Sequence, residues 1–313
     1  MSPRGGERRM VPAAEPRSYY GRPVIKPPVW RPEIPFYFFT GGLTGASTML
    51  AFAAGTLGNR ELARRAWLVA LAGGTISPVL LTSDLGRPSR FINMLRVFKP
   101  TSPMSVGSWT LSATVPAVAL AAGSDVLGVF PRTGGVARPV AAALGLPLAT
   151  YTAGLISNTS VPVWREARHH LPFVFAAGAA ASAGAAATLV TPSRHAEPAR
   201  RLAAGGAAAE LAATTLMERR LGWLGEPYRR GPAGRLGRAA KLFTAAGGLA
   251  VALARRRRPL AATGSGLLLL GGVLERWSVF NAGFQSAEDP RYTVGPQRVR
   301  LEARERQRSA APS

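Results

Sequence analysis

Long apolar stretches alternate with short polar segments along this chain, and the apolar stretches are rich in Ala, Gly, Leu and Val. Most of them are close to the length of about twenty residues that a helix needs to cross the hydrocarbon core of a bilayer. Eight stretches predict eight transmembrane helices, at residues 34–57, 66–82, 105–130, 139–158, 171–190, 202–217, 239–254 and 260–282. The pattern therefore predicts an all-α integral membrane protein whose helices form bundles.

An even number of crossings places the N- and C-termini on the same side of the membrane. That side carries about twice as many Lys and Arg residues as the opposite side, so the positive-inside rule predicts cytoplasmic termini. The four arginines at 255–258 fall on the opposite side in this arrangement. The sixth and seventh stretches are short and Ala-rich, so amphipathic or re-entrant helices remain an alternative for them.

This topology divides the chain into three parts. Residues 1–33 are predicted to form a cytoplasmic N-terminal tail, residues 34–282 a polytopic membrane domain, and residues 283–313 a C-terminal tail. The N-terminal part is rich in Pro and Arg and has no apolar core of the kind found in signal peptides. We expect the first membrane helix to direct insertion into the inner (cytoplasmic) membrane as a multi-pass protein.

Charge and residue usage narrow the possible functions. The 313 residues include 39 Lys and Arg against 16 Asp and Glu, a net charge of +23. Such basicity is typical of nucleic-acid binding, but here the arginines flank apolar segments, which predicts contact with the lipid bilayer and no nucleic acid. The chain has no cysteine and three histidines, which predicts no iron-sulfur cluster, no metal site and no paired haem ligands in this chain.

A polar segment at residues 84–109 separates the second and third apolar stretches. Asp84 ends the second stretch, and Gly86 and Arg87 follow in a predicted sharp turn where the guanidinium can fold back on the carboxylate. A charged pair at a membrane edge is costly unless its members satisfy each other. Two roles remain open for Asp84, which could hold the turn or take part in proton transfer.

Four segments together resemble a known family. Residues 84–109, 20–23 (Tyr-Gly-Arg-Pro), 36–42 (Phe-Tyr-Phe-Phe-Thr-Gly-Gly) and 161–164 (Val-Pro-Val-Trp) are similar to the NrfD-type membrane subunits of polysulfide-reductase-like molybdenum enzymes. The resemblance implies a quinone- or quinol-binding subunit of an oxidoreductase complex, with menaquinone or ubiquinone as the quinone. It also implies two partners, a ferredoxin-like iron-sulfur subunit that exchanges electrons with the quinone and a molybdopterin catalytic subunit beyond it.

The resemblance further implies where the quinone binds. The segment that begins at Tyr151 is similar to the one that supplies a quinone-contacting tyrosine in the family, with Ala153 where glycine is usual. We expect Tyr151 to donate a hydrogen bond to the quinone and Asp84 to exchange its proton, with Arg87, Asn158 and Trp164 lining the pocket. A tyrosine bonded to a neighbouring helix is the alternative for Tyr151. Some family members contact the quinone with a histidine in the first span, which this chain lacks.

Three other carboxylates, Asp125, Glu210 and Glu275, fall within or near the ends of predicted spans, and such groups are candidates for steps of a proton path. For Glu275 an ion pair with a basic group on another helix is the alternative, and for Glu210 a helix that only lies on the membrane surface. Two other functions remain open. The chain could be a non-catalytic anchor for a soluble complex, or it could transport a small solute or an ion. For the electron-transfer function, we expect the iron-sulfur partner to dock on the side that holds the termini.

Overall fold

The computed structural model describes residues 23–87 and 89–297, and this part of the chain is helical without strands, which confirms the predicted all-α fold. The predicted features in residues 1–22, including Tyr20, and in residues 298–313 lie outside the described residues. The α-helices are α1 (Glu33–Thr56), α2 (Arg60–Asp84), α3 (Ser89–Met94), α4 (Pro103–Leu127), α5 (Pro131–Ser157), α6 (Pro162–Glu166), α7 (Leu171–Val190), α8 (Glu197–Leu221), α9 (Gly231–Leu253) and α10 (Arg258–Glu288). Two 3-10 helices span Ala167–His169 and Gly222–Tyr228.

Each predicted apolar stretch corresponds to one long helix, namely α1, α2, α4, α5, α7, α8, α9 or α10. Polar side chains at the helix ends define several boundaries. The Asn59 side chain accepts a hydrogen bond from the Leu62 N–H ahead of α2 (3.2 Å), and Gly128 ends α4 with a φ of 72°. These caps satisfy backbone N–H and C=O groups that a helix end leaves without partners. The helices can therefore extend beyond the apolar stretches.

Five of the described helices, α2, α4, α5, α7 and α9, are long and apolar enough to cross a membrane. The long helices α1, α8 and α10 pack among them but are not among these five, and α8 and α10 carry Glu210, Glu275 and Arg276 within their length. The chain is therefore a helical membrane protein. Eight crossings and cytoplasmic termini stay predictions.

The long helices form two four-helix bundles. Helices α1, α2, α4 and α5 make up the first bundle, and α7, α8, α9 and α10 make up the second. Consecutive long helices pack against each other as neighbours, and α1 and α7 join the two bundles. This arrangement brings the start of α1, the end of α2, the start of α4 and the end of α5 to one end of the molecule.

Small residues allow the helices to approach closely, as the glycine pattern predicts. A Cβ atom on Gly45 of α1 would overlap the Gly145 backbone oxygen of α5, and one on Gly184 of α7 would overlap the backbone of Ala203 in α8. A Cβ on Gly247 of α9 would approach the Gly264 oxygen of α10 to 2.7 Å. Gly205, in contrast, faces open space.

The C-terminal part is more ordered than a solvated tail. Helix α10 continues to Glu288, beyond the predicted end at residue 282, and residues 291–297 are helical as well. Tyr292 stacks on Trp223 with ring centroids 6.1 Å apart, and its hydroxyl donates to Glu226 Oε2 at 3.2 Å. This part of the predicted tail therefore packs on the Gly222–Tyr228 segment of the same chain.

Candidate functional site

A cleft lies at the end of the first bundle where α1 and α4 begin and α2 and α5 end. Its cavity volume is about 50 Å³, room for a few water molecules, so a ligand ring would have to part the lining side chains in order to enter. We call it the tyrosine cleft. It is lined by Trp30, Ile34, Tyr37, Leu81, Asp84, Leu85, Met94, Met104, Ser108, Tyr151 and Leu155. Most of these side chains are apolar or aromatic, and the polar groups that could orient a ligand are few.

The structure brings the two principal predicted residues, Asp84 and Tyr151, together in the tyrosine cleft. Asp84 is the last residue of α2, and its Oδ1 accepts a hydrogen bond from the Arg31 backbone N–H at 3.0 Å. This bond fixes the carboxylate against the segment that leads into α1. A carboxylate held by a backbone donor at the mouth of an apolar cleft is suited to exchanging a proton with a ligand in the cleft.

Tyr151 projects from α5 into the same cleft, six residues before that helix ends at Ser157. Its ring lies directly over Gly107 of α4, where a Cβ atom would overlap the ring carbon Cε2. The absence of a side chain at residue 107 is therefore what allows the tyrosine ring to occupy this position. The contact between the α4 backbone at Gly107 and the Tyr151 ring therefore sets the depth of the Tyr151 hydroxyl.

Tyr37 is a third polar residue of the tyrosine cleft, and it was not among the site residues predicted from the sequence. Its side chain is fully buried, and its ring centroid lies 6.4 Å from that of Tyr151. The Tyr37 hydroxyl is buried and has no hydrogen-bond partner among the described residues. A buried hydroxyl without a partner costs about 1–3 kcal/mol, so a water molecule or a ligand in the cleft would stabilise this group by accepting its hydrogen bond. It is the one hydroxyl in the aromatic run 36–39, which was the available signal.

Three predicted lining residues do not line the tyrosine cleft. Arg87 is exposed and makes no ion pair with Asp84 among the described residues, because the Arg31 backbone occupies the carboxylate instead. Asn158 follows the end of α5 and lines a wider groove on the same end of the molecule. Trp164 is fully buried behind the cleft.

Trp164 supports the wall of the tyrosine cleft from behind. Its ring stacks on Trp30, which lines the cleft, with centroids 5.5 Å apart and an interplanar angle of 23°. Its Nε1–H donates to the Val279 carbonyl oxygen of α10 at 2.7 Å. A residue predicted to line the pocket therefore connects the cleft wall to the second bundle.

The charged residue Asp125 lies at the opposite end of the first bundle, near the end of α4. It forms an ion pair with Arg138 of α5, with Arg138 Nε 2.9 Å from Asp125 Oδ1. This ion pair joins two neighbouring helices, a role that was not predicted for Asp125. Glu210 and Glu275 lie in the second bundle and take no part in the tyrosine cleft.

Comparison with known proteins gives a family but no individual relative. A search of curated proteins finds no match to this chain. The family model described as polysulphide reductase, NrfD, matches residues 24–204, more than half of the chain. The match includes every residue that lines the tyrosine cleft. Members of this family are membrane subunits of oxidoreductase complexes and in general interact with quinones. The resemblance seen in the sequence is thereby confirmed, and the chain belongs to the NrfD polysulphide reductase family.

Proposed function

We propose that this chain binds a quinone or quinol in the tyrosine cleft and is the membrane subunit through which an iron-sulfur partner exchanges electrons with the quinone pool. The observation that carries the proposal is the convergence of two phenols and one carboxylate in an apolar cleft at a helix-bundle end. One of those phenols, Tyr37, is buried, and its hydroxyl has no hydrogen-bond partner among the described residues. This set of groups matches a ligand that is largely apolar and carries carbonyl oxygens.

Each polar residue has a separate task in the proposal. The Tyr151 and Tyr37 hydroxyls donate hydrogen bonds to the ligand carbonyl that enters deepest. Asp84 stands nearer the segment that leads to the surface and holds or releases a proton. A quinone supplies two-electron, two-proton redox chemistry when bound, so a nearby carboxylate that exchanges protons with water is required. The hydrogen bond from the Arg31 N–H keeps the Asp84 carboxylate oriented.

The apolar walls have their own part. Trp30, Ile34, Leu81 and Met104 surround the cleft and exclude water from the ligand ring, which strengthens the hydrogen bonds from the two tyrosines. Met side chains adapt their shape to a ligand more readily than branched side chains do. These residues favour a flat hydrophobic ring over a hydrophilic solute, which weighs against the small-solute transporter alternative.

We place the iron-sulfur partner on the same end of the molecule. A groove there is lined by Asn158, Arg165, Arg168, Trp223 and Tyr292, among others, and it combines basic and aromatic side chains. Basic residues suit an acidic partner surface, and aromatic residues are enriched at interfaces. Electron transfer requires the partner cluster to approach the tyrosine cleft, and a partner in this groove would lie at the correct end. A molybdopterin subunit would bind beyond the iron-sulfur subunit.

Quinone binding by the purified full chain tests the proposal. Trp30 lines the cleft, so a bound menaquinone analogue should quench tryptophan fluorescence saturably. We expect Tyr151→Phe to weaken binding by up to about tenfold, because one hydrogen bond of about 0.5–1.5 kcal/mol is lost with little volume. Asp84→Asn should chiefly slow quinol turnover, because it removes the proton-exchanging group but keeps the hydrogen-bond acceptor.

The matched control is Tyr292→Phe, a tyrosine that stacks on Trp223 outside the cleft. It should leave quinone affinity unchanged. A ubiquinone analogue measured in parallel identifies which quinone is preferred. Unsaturable quenching in the parent, or equal affinity in the parent and Tyr151→Phe, would contradict the proposal and leave the non-catalytic anchor as the better account.

A further inference from the structure

The second bundle contains another cavity, which we call the glutamate cavity. Its volume is about 20 Å³, room for about one water molecule, and it lies between α8, α9 and α10, separate from the tyrosine cleft. The polar residues of its lining that matter here are Glu210, Thr214, Glu218, Lys241, Glu275 and Ser278. Within the part of the chain that the structure describes, it holds carboxylates that no ion pair fully satisfies, so its charge balance decides its chemistry.

Two carboxyl groups share one guanidinium in the interior of this bundle. Glu210, Glu275 and Arg276 are 3%, 6% and 2% exposed. One Arg276 amino group donates to Glu275 Oε2, and the other donates to the Phe175 carbonyl oxygen of α7 at 3.0 Å. The guanidinium also lies 3.9 Å from the centroid of the Phe175 ring. Two of the three Arg276 nitrogens thus bind Glu275 and α7, and the third, Nε, has no hydrogen-bond partner among the described residues.

Glu210 is left without a comparable partner. Its Oε1 is buried and has no hydrogen-bond partner among the described residues. It lies against Gly178 of α7, where a Cβ atom would be 2.7 Å from this oxygen. Gly178 is seven residues, or about 10 Å, into a helix that can span the membrane, so Glu210 lies at membrane depth.

Charge balance then fixes where a proton resides. Two ionised carboxylates beside one guanidinium would leave a net negative charge in a low-dielectric interior, at a cost of several kcal/mol. A proton on one carboxyl removes that cost. Glu275 is the carboxylate bonded to Arg276, so Glu210 is the group that carries the proton.

A polar route leads from Glu210 to the surface. Glu210, Thr214 and Glu218 follow one another at intervals of four residues on the cavity-facing side of α8, over about 12 Å. At the outer end, Glu218 pairs with Lys241 of α9 at 2.6 Å, with the two side chains 14% and 35% exposed. This row of polar side chains therefore leads from the buried carboxyl of Glu210 toward water at the end of the bundle where α8 ends and α9 begins.

Tyr228 adds a hydroxyl to this route. It lies in the Gly222–Tyr228 segment outside the long helices, and its buried oxygen has no partner among the described residues. Burial raises the pKa of the Tyr228 hydroxyl far above its ordinary value, with smaller contributions from Glu275 and Glu218. The hydroxyl therefore stays neutral and is able both to accept and to donate a proton.

Toward the opposite end of the bundle the buried side chains are mainly apolar, and the buried hydroxyls there include Ser182 and Ser265. Beyond Glu210, a cluster of apolar side chains fills the space between the four helices, and its buried members are Ala181, Ala185, Ala203, Ala207, Val251 and Leu268. These residues offer no hydrogen-bonding group to carry a proton further. The polar route thus opens at one end and meets a mainly apolar cluster at the other.

We propose that Glu210 is a proton-holding carboxyl that exchanges its proton with water on one face only, the face at which α8 ends and α9 begins. The proton enters past Lys241 and Glu218, binds a Glu210 carboxylate oxygen, and leaves by the same route. The titratable or charged groups that face Glu210 are Glu275 and Arg276 from α10, Glu218 from its own helix, Lys241 from α9 and Tyr228. Helix α7 contributes Phe175 and Gly178, which do not titrate. This site does not depend on quinone binding in the tyrosine cleft.

Labelling of the unaltered full chain with dicyclohexylcarbodiimide tests the proposal, because this apolar reagent modifies protonated carboxyls in apolar surroundings. We expect peptide mapping by mass spectrometry to find Glu210 modified. The rate should fall as the pH rises, by about tenfold per pH unit once Glu210 ionises. Glu61, which is ion-paired with Arg65 at the surface, is the control carboxylate and should stay unmodified. Absence of label on Glu210, or equal label on Glu275, would overturn the assignment.

The one-sided access has its own test in sealed proteoliposomes sorted by orientation. The labelling rate should respond to the pH on the face that carries Lys241 and Glu218 and should ignore the pH on the other face. Lys241→Met should slow this response several-fold without abolishing labelling, because it removes a charge at the mouth and leaves Glu210 in place. A response to the pH of the opposite face would contradict the one-sided access.

Discussion

The Tyr37 hydroxyl is the most informative single group in the tyrosine cleft, because it is buried there with no hydrogen-bond partner among the described residues. If a quinone satisfies it, Tyr37→Phe should have two effects of opposite sign. The ligand-free protein should gain stability, by up to about 1–3 kcal/mol, because an unsatisfied polar group is removed. Quinone affinity should fall by up to about tenfold, because a hydrogen bond is lost. Thermal unfolding and fluorescence quenching measure the two effects.

Tyr228 provides a matched control for this substitution. It is also buried with a hydroxyl that has no partner among the described residues, but it lies in the second bundle and outside the tyrosine cleft. Tyr228→Phe should raise stability similarly and leave quinone affinity unchanged. Loss of affinity in Tyr228→Phe, or unchanged affinity in Tyr37→Phe, would show that the Tyr37 hydroxyl does not contact the quinone.

Among individual residues, sequence reasoning identified those that carry an unusual motif and missed those whose meaning depends on packing. Asp84 stands out because a charge ends an apolar stretch, and Tyr151 because its segment resembles the family's; the structure brings both into one cleft. Tyr37 sits in an aromatic run, where a tyrosine is indistinguishable from its phenylalanine neighbours until its burial is known. Trp164 was placed at the pocket because it lies in a conspicuous turn, but its ring points behind Trp30.

The helices of the first bundle position the cleft by their close contacts, and α4 and α5 meet where Gly107 lies under the Tyr151 ring. Gly107→Ala should push that ring out of place, because the added Cβ overlaps it. We expect the protein to fold and quinone affinity to fall by about tenfold or more. Gly154→Ala is the control, since a Cβ there meets nothing within 4 Å. Equal quinone affinities for the two variants and the parent would show that quinone binding does not depend on the position of the Tyr151 ring.

The long helices follow from the sequence because twenty apolar residues in a row allow few alternatives, and α7 has the predicted bounds. The short elements do not, because α3, α6 and the Gly222–Tyr228 segment are too brief to show a helical period. The end of α10 was also missed, because its last residues are polar and interrupt the apolar pattern. The helix continues to Glu288 and forms part of the surface at the site end.

The whole molecule combines two bundles with different contents. The first holds the tyrosine cleft, and the second holds the glutamate cavity, which opens at the same end because α8 and α5 end on that side. Trp164 bridges the two through its contacts with Trp30 and Val279. The family match covers the first bundle completely, includes α7 and stops within α8, so α9 and α10 lie outside it.

Membrane orientation is predicted from the distribution of Lys and Arg and is open to direct measurement. The chain has no cysteine, so single cysteines can be introduced without a background. Ser160→Cys lies beside α6 at the site end, and Thr133→Cys lies in the first turn of α5 at the other end, and both positions are exposed. A membrane-impermeant maleimide should label Ser160→Cys only from the cytoplasmic side and Thr133→Cys only from the opposite side. The reverse pattern would invert the orientation and place the partner's docking groove outside.

Photolabelling of the full chain with a photoreactive menaquinone analogue tests the central claim most directly. The account predicts covalent label on residues 30–37, 81–85, 104–108 and 151–155, which line the tyrosine cleft, and loss of that label when unmodified menaquinone competes. Label confined to other segments, or label that menaquinone does not displace, would contradict it.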